Sequence, residues 1–134
     1  MTLAGFDAMT RSLSGAAIML ICALVGGCVK FRTVDDGISR ARINESVTVG
    51  PATVMPLAIL EDSRCPVGVQ CIAAGRVRLA VRIDPSGASE LGTDSPAGVA
   101  GGTVSLVEVY PARRPDVTLY PDEYRFGFRF SPRP

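Results

Sequence analysis

The sequence predicts an all-β protein: a small antiparallel β-sandwich or barrel of about five to seven strands after an N-terminal signal segment. Apolar and polar residues alternate over residues 76–83 and 124–130, which is typical of half-buried strands. Clusters of Gly, Pro, Asp and Ser separate the other extended stretches. The chain after the signal has the length of one domain. We expect residues 28–44 to form an N-terminal segment and linker, and residues 45–134 the β-domain.

Residues 1–27 have the layout of a bacterial export signal. Arg11 supplies positive charge, an apolar run covers residues 16–25, and small residues lead into Cys28. The run is too short to cross a bilayer, which takes about 20 apolar residues. We therefore expect residues 1–27 to be removed as a signal peptide.

The sequence Val25-Gly26-Gly27-Cys28 resembles a lipobox, the site at which bacterial lipoproteins are lipidated and cleaved. The resemblance implies that Cys28 carries a thioether-linked diacylglycerol, becomes the new N-terminus and anchors the protein to a membrane. If the host has two membranes, the outer one is favoured, because Val29 replaces the Asp that lipoproteins use for inner-membrane retention. The alternative is an ordinary signal peptide followed by an unrelated cysteine.

The first part of the β-domain contains two predicted strands. Residues 45–49 alternate between polar and apolar, and residues 53–61 are apolar and extended. Pro56 indicates that the second of these strands is an edge strand or contains a bulge. Just before them, residues 38–44 fit either a short helix or a linker.

The clearest strand covers residues 76–83, with an apolar face and a basic face. The apolar positions are Val77, Leu79, Val81 and Ile83, and the basic positions are Arg76, Arg78 and Arg82. The following residues, 84–102, are rich in Gly, Ser, Ala and Pro, which predicts a mobile loop. A loop of that length in a small domain is usually disordered or functional.

The C-terminal part contains the strand expected to dominate the core. Residues 103–110 form a strand whose apolar register slips, which indicates a bulge or burial on both faces. Turns at residues 111–116 and 121–123 flank a short extended stretch at residues 117–120. The strand at residues 124–130 follows, with Tyr124, Phe126, Phe128 and Phe130 inward and Arg125 and Arg129 outward. Each buried aromatic side chain removes about 150–250 Å² from water.

The four cysteines divide between the signal, the lipid and the fold. Cys22 leaves with the signal and Cys28 is the lipidation site, so Cys65 and Cys71 remain in an oxidising compartment, where a pair is typical of a disulfide. A redox pair is the alternative, but redox motifs usually have two intervening residues. Two thiolates in a chain without histidine also make a poor metal site. We predict a Cys65–Cys71 disulfide, no metal and no cofactor.

The stretch Glu-Asp-Ser-Arg-Cys-Pro at residues 61–66, followed by Cys71 and then Gly75 before a strand, is the most distinctive motif. It resembles a segment found in a group of small bacterial exported proteins and lipoproteins, which also end in a Tyr-x-Phe-x-Phe-like strand. Here that strand is residues 124–130. The resemblance implies a β-domain and attaches no activity to it.

Composition argues against most enzyme classes. Without histidine, Ser-His-Asp and Cys-His catalysis and most zinc sites are excluded. Glu61 and Asp62, with Asp35 and Asp36, could form an acid–base or Ca²⁺ site. Adjacent strand residues point to opposite faces, however, so turn and surface carboxylates are the simpler interpretation. A net charge of +1 gives no support to nucleic-acid binding.

Arginines are the candidate binding residues. Arg64 is a candidate that could instead pair with Asp62 and brace the segment around the cysteines. If the strands at residues 76–83 and 124–130 are neighbours, five arginines form one basic face for anionic lipid, cell-wall polymer or an acidic partner. These are Arg76, Arg78, Arg82, Arg125 and Arg129. The alternative is a solvated face.

These features predict a non-enzymatic, lipid-anchored protein on the extracytoplasmic side of the cell envelope that binds or braces an envelope protein or polymer. The alternative is a small inhibitor or ligand-binding module. In that case the segment between Cys65 and Cys71 would be the binding element, because a pre-shaped loop loses little entropy on binding.

Overall fold

Eight β-strands make up the sandwich in the computed structural model, which describes residues 35–134. They are β1 (Ser39–Ala41), β2 (Val47–Val49), β3 (Ala52–Asp62), β4 (Val77–Asp84), β5 (Gly87–Gly92), β6 (Ala97–Val99), β7 (Gly102–Tyr110) and β8 (Arg125–Pro132). A short 3₁₀ helix, Pro121–Glu123, precedes β8. The strands form two packed antiparallel sheets that do not close into a barrel, so the predicted all-β sandwich is confirmed. It has eight strands where five to seven were expected, because β5 and β6 lie in a stretch predicted as a loop. The predicted signal peptide and Cys28 lie outside the described residues.

The strand connectivity is almost entirely local. The first sheet has the order β1-β8-β7-β6 and the second has the order β2-β3-β4-β5. Every paired strand therefore neighbours the next one in the sequence, except where β1 pairs with β8. The chain changes sheets between β1 and β2 and again between β5 and β6. Ser39 Oγ donates a hydrogen bond of 2.7 Å to the Thr48 carbonyl across the first of these crossings.

The core lies between the sheets and uses the alternation seen in the sequence. In β4 the four predicted apolar positions are buried, and in β8 Phe126 and Phe128 are fully buried. The second sheet contributes Val54, Val77, Leu79, Val81, Ile83 and Leu91, and the first contributes Val104, Leu106, Phe126 and Phe128. Both predicted inward faces are confirmed, and the fully buried aromatic pair makes β8 a major source of core area.

Phe130 closes the core at one end of the sandwich. Its half-buried ring packs directly over Gly50, in the turn between β2 and β3. A Cβ atom on Gly50 would overlap this ring. The turn therefore needs glycine for space, and the contact joins the second sheet to the last strand of the first.

Pro56 lies in β3, which is a central strand because it pairs with both β2 and β4. The predicted edge position is therefore wrong, whereas the predicted bulge is present as a register shift between Pro56 and Ala58. The Pro56 carbonyl accepts a hydrogen bond of 2.7 Å from the Asn44 amide. The backbone N–H and C=O of a residue in a strand point toward the same neighbouring strand. The position of the N–H that Pro56 lacks therefore faces the chain just beyond the end of β2, where no hydrogen bond between strands is lost.

The predicted mobile loop at residues 84–102 is wrong. Nine of its nineteen residues form β5 and β6, and β5 pairs with β4 along its whole length. Leu91 is fully buried, and Ala97 and Val99 are also buried. Small residues give a weak local strand signal, but pairing with a well-defined neighbour overrides local propensity.

One shorter stretch also differs from expectation, and two others agree with it. The helix-or-linker stretch at residues 38–44 contains β1, so the sandwich begins before residue 45. Residues 117–120 lie outside the eight strands, and Tyr120 at their end has the predicted extended backbone, with φ −95° and ψ 154°. In β7 the register shifts between Leu106 and Glu108, which confirms the bulge predicted from the slipped apolar pattern.

Candidate functional site

Two long loops lie at the same end of the sandwich. The cysteine loop, residues 63–76, joins β3 to β4, and the β7–β8 loop, residues 111–124, joins the corresponding strands of the other sheet. We call this the loop end. The opposite end, which we call the turn end, has two-residue turns at residues 50–51, 85–86 and 100–101.

The cysteine loop is closed twice, by a covalent bond and by a narrow neck. Cys65 and Cys71 form the predicted disulfide, which closes the ring of residues 65–71. At the neck, the Ser63 amide donates to the Arg76 carbonyl at 2.9 Å. Gly75 packs against this neck with a φ of 68°, and a Cβ there would overlap the Ser63 carbonyl. The loop is therefore held in one conformation at its base and near its tip.

Asp62, Arg64 and Tyr124 form a partly buried polar cluster beneath the cysteine loop. Arg64 binds Asp62 through two hydrogen bonds of 2.8 Å, from Nε to Oδ1 and from Nη2 to Oδ2. The Tyr124 hydroxyl donates a third, of 2.8 Å, to Asp62 Oδ2. Only 10% of the Asp62 side chain and 19% of the Arg64 side chain are exposed. The predicted pairing of Arg64 with Asp62 is confirmed, and its two-pronged geometry is the strong form of such pairs.

The protonation states of this cluster are fixed around neutral pH. Burial disfavours the ionised carboxylate, but the hydrogen bonds from Arg64 and Tyr124 outweigh it and lower the pKa of Asp62. The hydrogen bond to Asp62 raises the pKa of Arg64. Burial and the same carboxylate raise the pKa of Tyr124 to about 12. The cluster is thus a neutralised ion pair with a protonated phenol, an arrangement that braces a loop and leaves no group poised to take up a proton near neutral pH.

Arg64 also joins the cysteine loop to the other sheet. Its Nη1 donates to the Val109 carbonyl in β7 at 2.9 Å. Arg113 in the β7–β8 loop donates from Nη1 to the Arg64 carbonyl at 3.2 Å. The Val67 amide in turn donates to the Arg113 carbonyl at 2.8 Å. The two loops therefore form one connected structure across the ends of both sheets.

This connected structure exposes most of the large apolar side chains that the described residues leave on the surface. Six of the nine are the loop-end apolar residues, Val67, Val69, Ile72, Tyr110, Val117 and Tyr120. The other three are Leu57, Leu60 and Val107. Single exposed apolar residues are ordinary, but their concentration at one rigid end is typical of an interaction surface.

The five arginines expected on one basic face are divided between two sheets. Arg78 and Arg82 are in β4 of the second sheet, with Arg76 just before it, whereas Arg125 and Arg129 are in β8 of the first. Because β4 and β8 are not neighbours, the single basic face is wrong. Two of these arginines are also neutralised by carboxylates: Arg76 pairs with Glu61 and Asp94, and Arg78 pairs with Glu61 and Glu90.

The carboxylates considered for an acid–base or Ca²⁺ site are not brought together. Glu61 turns outward to Arg76 and Arg78, whereas Asp62 turns to Arg64. Asp36 pairs with Arg40 at 2.7 Å. Within residues 35–134, no group of three or more His, Cys, Asp or Glu side chains could hold a metal ion.

Sequence reasoning missed two parts of this site. Tyr124 was expected only as an inward-facing core residue, because a phenol at the start of a strand gives no sign of a distant carboxylate. The exposed apolar residues left a clearer signal: Val67, Val69 and Ile72 are large apolar residues inside a loop with Pro66 and Gly68.

Comparison with protein-family models, with curated proteins and with solved structures finds no match to this chain. Across residues 35–134, none of the helical structure is long and apolar enough to cross a membrane.

Proposed function

We propose that this protein is a non-enzymatic lipoprotein of the cell envelope, held at a membrane by lipid on Cys28, which binds or braces an envelope component through its loop end. One observation carries the proposal. Five of the six loop-end apolar residues are exposed on two loops that the disulfide and the Asp62–Arg64–Tyr124 cluster hold rigid, and the sixth, Tyr110, is the last residue of β7. Such a surface is already in its binding conformation, so little conformational entropy is lost on association.

The cost of this arrangement supports a binding role. Exposed apolar area is unfavourable in water by about 25 cal/mol per Å². Hydrogen bonds that rigidify an exposed loop add nothing to the burial of the core. A chain that needed only to join β3 to β4 could use a short turn, as it does between β4 and β5. The additional residues are therefore best explained by what they contact outside the domain.

The proposed location rests on the N-terminal sequence and on the cysteines. Val25-Gly26-Gly27-Cys28 fits lipid attachment, and at least two acyl chains give stable anchoring. The Cys65–Cys71 disulfide suits an oxidising compartment. We therefore place the domain on the extracytoplasmic face, with the outer membrane favoured by Val29.

A second candidate function is inhibition or capture of a protein by the cysteine loop. Residues 67–70 are exposed inside a covalently closed ring, and such a ring can present its side chains to a protease cleft. A panel of envelope proteases tests this directly. Inhibition that disappears in Val67→Asp, with folding intact, would favour it over the first candidate.

The proposed function is tested by photo-crosslinking in intact cells. A photoreactive amino acid replaces Ile72 at the loop end in one strain and Ser86 at the turn end in another. Both positions are exposed, so the pair differs only in which end of the sandwich is probed. We expect adducts from position 72 and few from position 86, and mass spectrometry of the same samples reports the acyl chains on Cys28.

Two results would contradict the proposal. Equal labelling from the two positions would show that the loop end is not a binding face. An unmodified Cys28 thiol would remove the lipid tether, with Cys28→Ser as the reference for a chain without lipid.

A further inference from the structure

The loop-end apolar residues have the composition of a surface that meets lipid. Four are aliphatic, Val67, Val69, Ile72 and Val117, and two are tyrosines, Tyr110 and Tyr120. Aliphatic side chains partition into the acyl region, and tyrosine prefers the boundary between lipid and water. Beneath these side chains, Asp62, Arg64 and Tyr124 are hydrogen-bonded to one another, so their polar groups have partners within the protein.

The first described residues lie beside β1, the edge strand of the first sheet. Asp36 pairs with Arg40 at 2.7 Å, and Arg40 pairs with Glu108 at 2.9 Å. Glu108 lies two residues before Tyr110, a distance of about 7 Å along a strand. Ser39 pairs with Phe128 and Ala41 with Phe126, so the described chain starts beside the middle of the first sheet and β1 runs toward the loop end.

The tether proposed above is short. The chain between Cys28 and Asp35 spans at most about 25 Å even when fully extended. A domain of about 100 residues has a radius of gyration of about 13 Å, so lipid on Cys28 would hold the domain against the bilayer surface. Of residues 35–134, the loop end exposes most of the large apolar side chains, so it is the part of the domain that gains most from contact with lipid.

Charge at the loop end is balanced. The arginines of the two loops are matched by the carboxylates of the β7–β8 loop together with Asp62. The arginines are Arg64, Arg76, Arg113 and Arg114, and the carboxylates are Asp62, Asp116, Asp122 and Glu123. A surface of this kind has no strong preference for anionic lipid, and its attachment should depend little on salt.

We infer that the envelope component contacted by the loop end is the lipid bilayer itself, into which the loop-end apolar residues insert at the depth of the headgroup and acyl boundary. This inference rests on the proposed tether at Cys28. It gives the loops a specific role, which is to orient the domain on the membrane with the turn end facing away.

Tryptophan fluorescence provides the test, because the chain contains no tryptophan. The mature acylated protein is prepared as Ile72→Trp, with Val67→Trp as a second loop-end probe and Ser86→Trp as the turn-end control. Each is reconstituted into vesicles of zwitterionic lipid, with and without bromine on the acyl chains. We expect blue-shifted emission and bromine quenching at positions 72 and 67, unchanged by added salt, and neither effect at position 86.

The outcomes separate this inference from the proposed function. Acylated protein without quenching at positions 72 and 67 would overturn membrane insertion and leave the tether intact. Equal quenching at all three positions would overturn the orientation. Quenching that requires anionic lipid and is lost in salt would overturn insertion driven by apolar contact. Mass spectra without acyl chains on Cys28 would overturn the tether and the inference with it. Capture of a single protein from position 72 in cells, without quenching in vesicles, would assign the surface to a protein partner instead.

Discussion

The connections between neighbouring strands are short at one end of the sandwich and long at the other. At the turn end, consecutive antiparallel strands are joined by pairs of residues, at 50–51, 85–86 and 100–101. At the loop end, the cysteine loop and the β7–β8 loop are several times longer and are held by a disulfide and an ion pair. Antiparallel strands need only two residues to reverse direction.

The two ends differ in what their residues contribute, which is core packing at the turn end and exposed apolar surface at the loop end. At the turn end, the Phe130 ring packs over Gly50 and covers that end of the core. The loop end uses polar bracing at its base and leaves large apolar side chains in water. We expect stability to be determined mainly by the core and the proposed binding role to depend on the loop end, and the predictions below test this division.

The largest expected effect is in the core shared by both ends. Phe128→Ala should lower the free energy of unfolding by about 3–5 kcal/mol, because Phe128 is fully buried between the sheets. Urea unfolding of the purified protein measures this loss. Phe130→Ala, at a half-buried ring, is the matched control and should lose less. A loss at Phe128 below about 1 kcal/mol would contradict the assigned register.

The next effect lies beneath the cysteine loop. Asp62→Asn should cost about 2–3 kcal/mol, because it leaves the half-buried Arg64 guanidinium without its charged partner. The pKa of Asp62 is lowered in the folded protein, so the ionised carboxylate stabilises the fold above its unfolded pKa of about 3.9. That contribution is lost as the pH falls through the lower folded-state pKa. Unfolding measured against pH should therefore show a weaker acid dependence in Asp62→Asn, and identical acid profiles would refute the pairing.

Removal of the disulfide should cost about 2 kcal/mol, since the closed ring is small. The Cys65→Ser/Cys71→Ser double variant, compared with the parent by thermal unfolding, measures the cost. We expect exchange of amide hydrogens to become faster in the cysteine loop and to stay unchanged in the β6–β7 turn. Faster exchange at both ends would show that the bond supports the whole sandwich rather than one loop.

Tyr124→Phe removes one hydrogen bond to Asp62 and should cost about 1 kcal/mol. The pKa of Tyr124 is raised to about 12, so its protonated phenol stabilises the fold fully below its unfolded pKa of about 10. This contribution is lost as the pH rises through about 12. An absorbance titration of tyrosine should lose its highest-pKa component in Tyr124→Phe. Retention of that component would mean that another tyrosine carries it.

The smallest effect on stability is expected at the tip of the cysteine loop. Ile72→Asp should change the free energy of unfolding by less than about 0.5 kcal/mol, because the side chain is fully exposed. The same variant should weaken attachment of the domain surface to vesicles. A large loss of stability would show that Ile72 is packed in the fold, and the division between the two ends would then be wrong.

The parts predictable from the sequence are those encoded by large side chains at regular spacing. β4 and β8 follow from the alternation of branched and aromatic residues, and the disulfide follows from the cysteine count. β5 and β6 were missed because Gly, Ala and Ser carry little apolar periodicity, so their strand structure depends on pairing with neighbours.

At the site, the sequence indicated only what is local. The Asp62–Arg64 pair joins residues two positions apart and was anticipated. The contact of Arg64 with Val109 and that of Tyr124 with Asp62 span much longer separations and depend on how the sheets pack. The division of the arginines between two sheets has the same cause, because alternation shows which face a side chain takes but not which strands are neighbours.

Amide hydrogen exchange on the acylated protein tests the central claim most directly, by comparing protein in detergent with protein on vesicles. We expect exchange on vesicles to slow in residues 63–76 and 111–124 and to stay unchanged in the turns at residues 50–51, 85–86 and 100–101. Slowing at the turn end, or no slowing at the loop end, would contradict it.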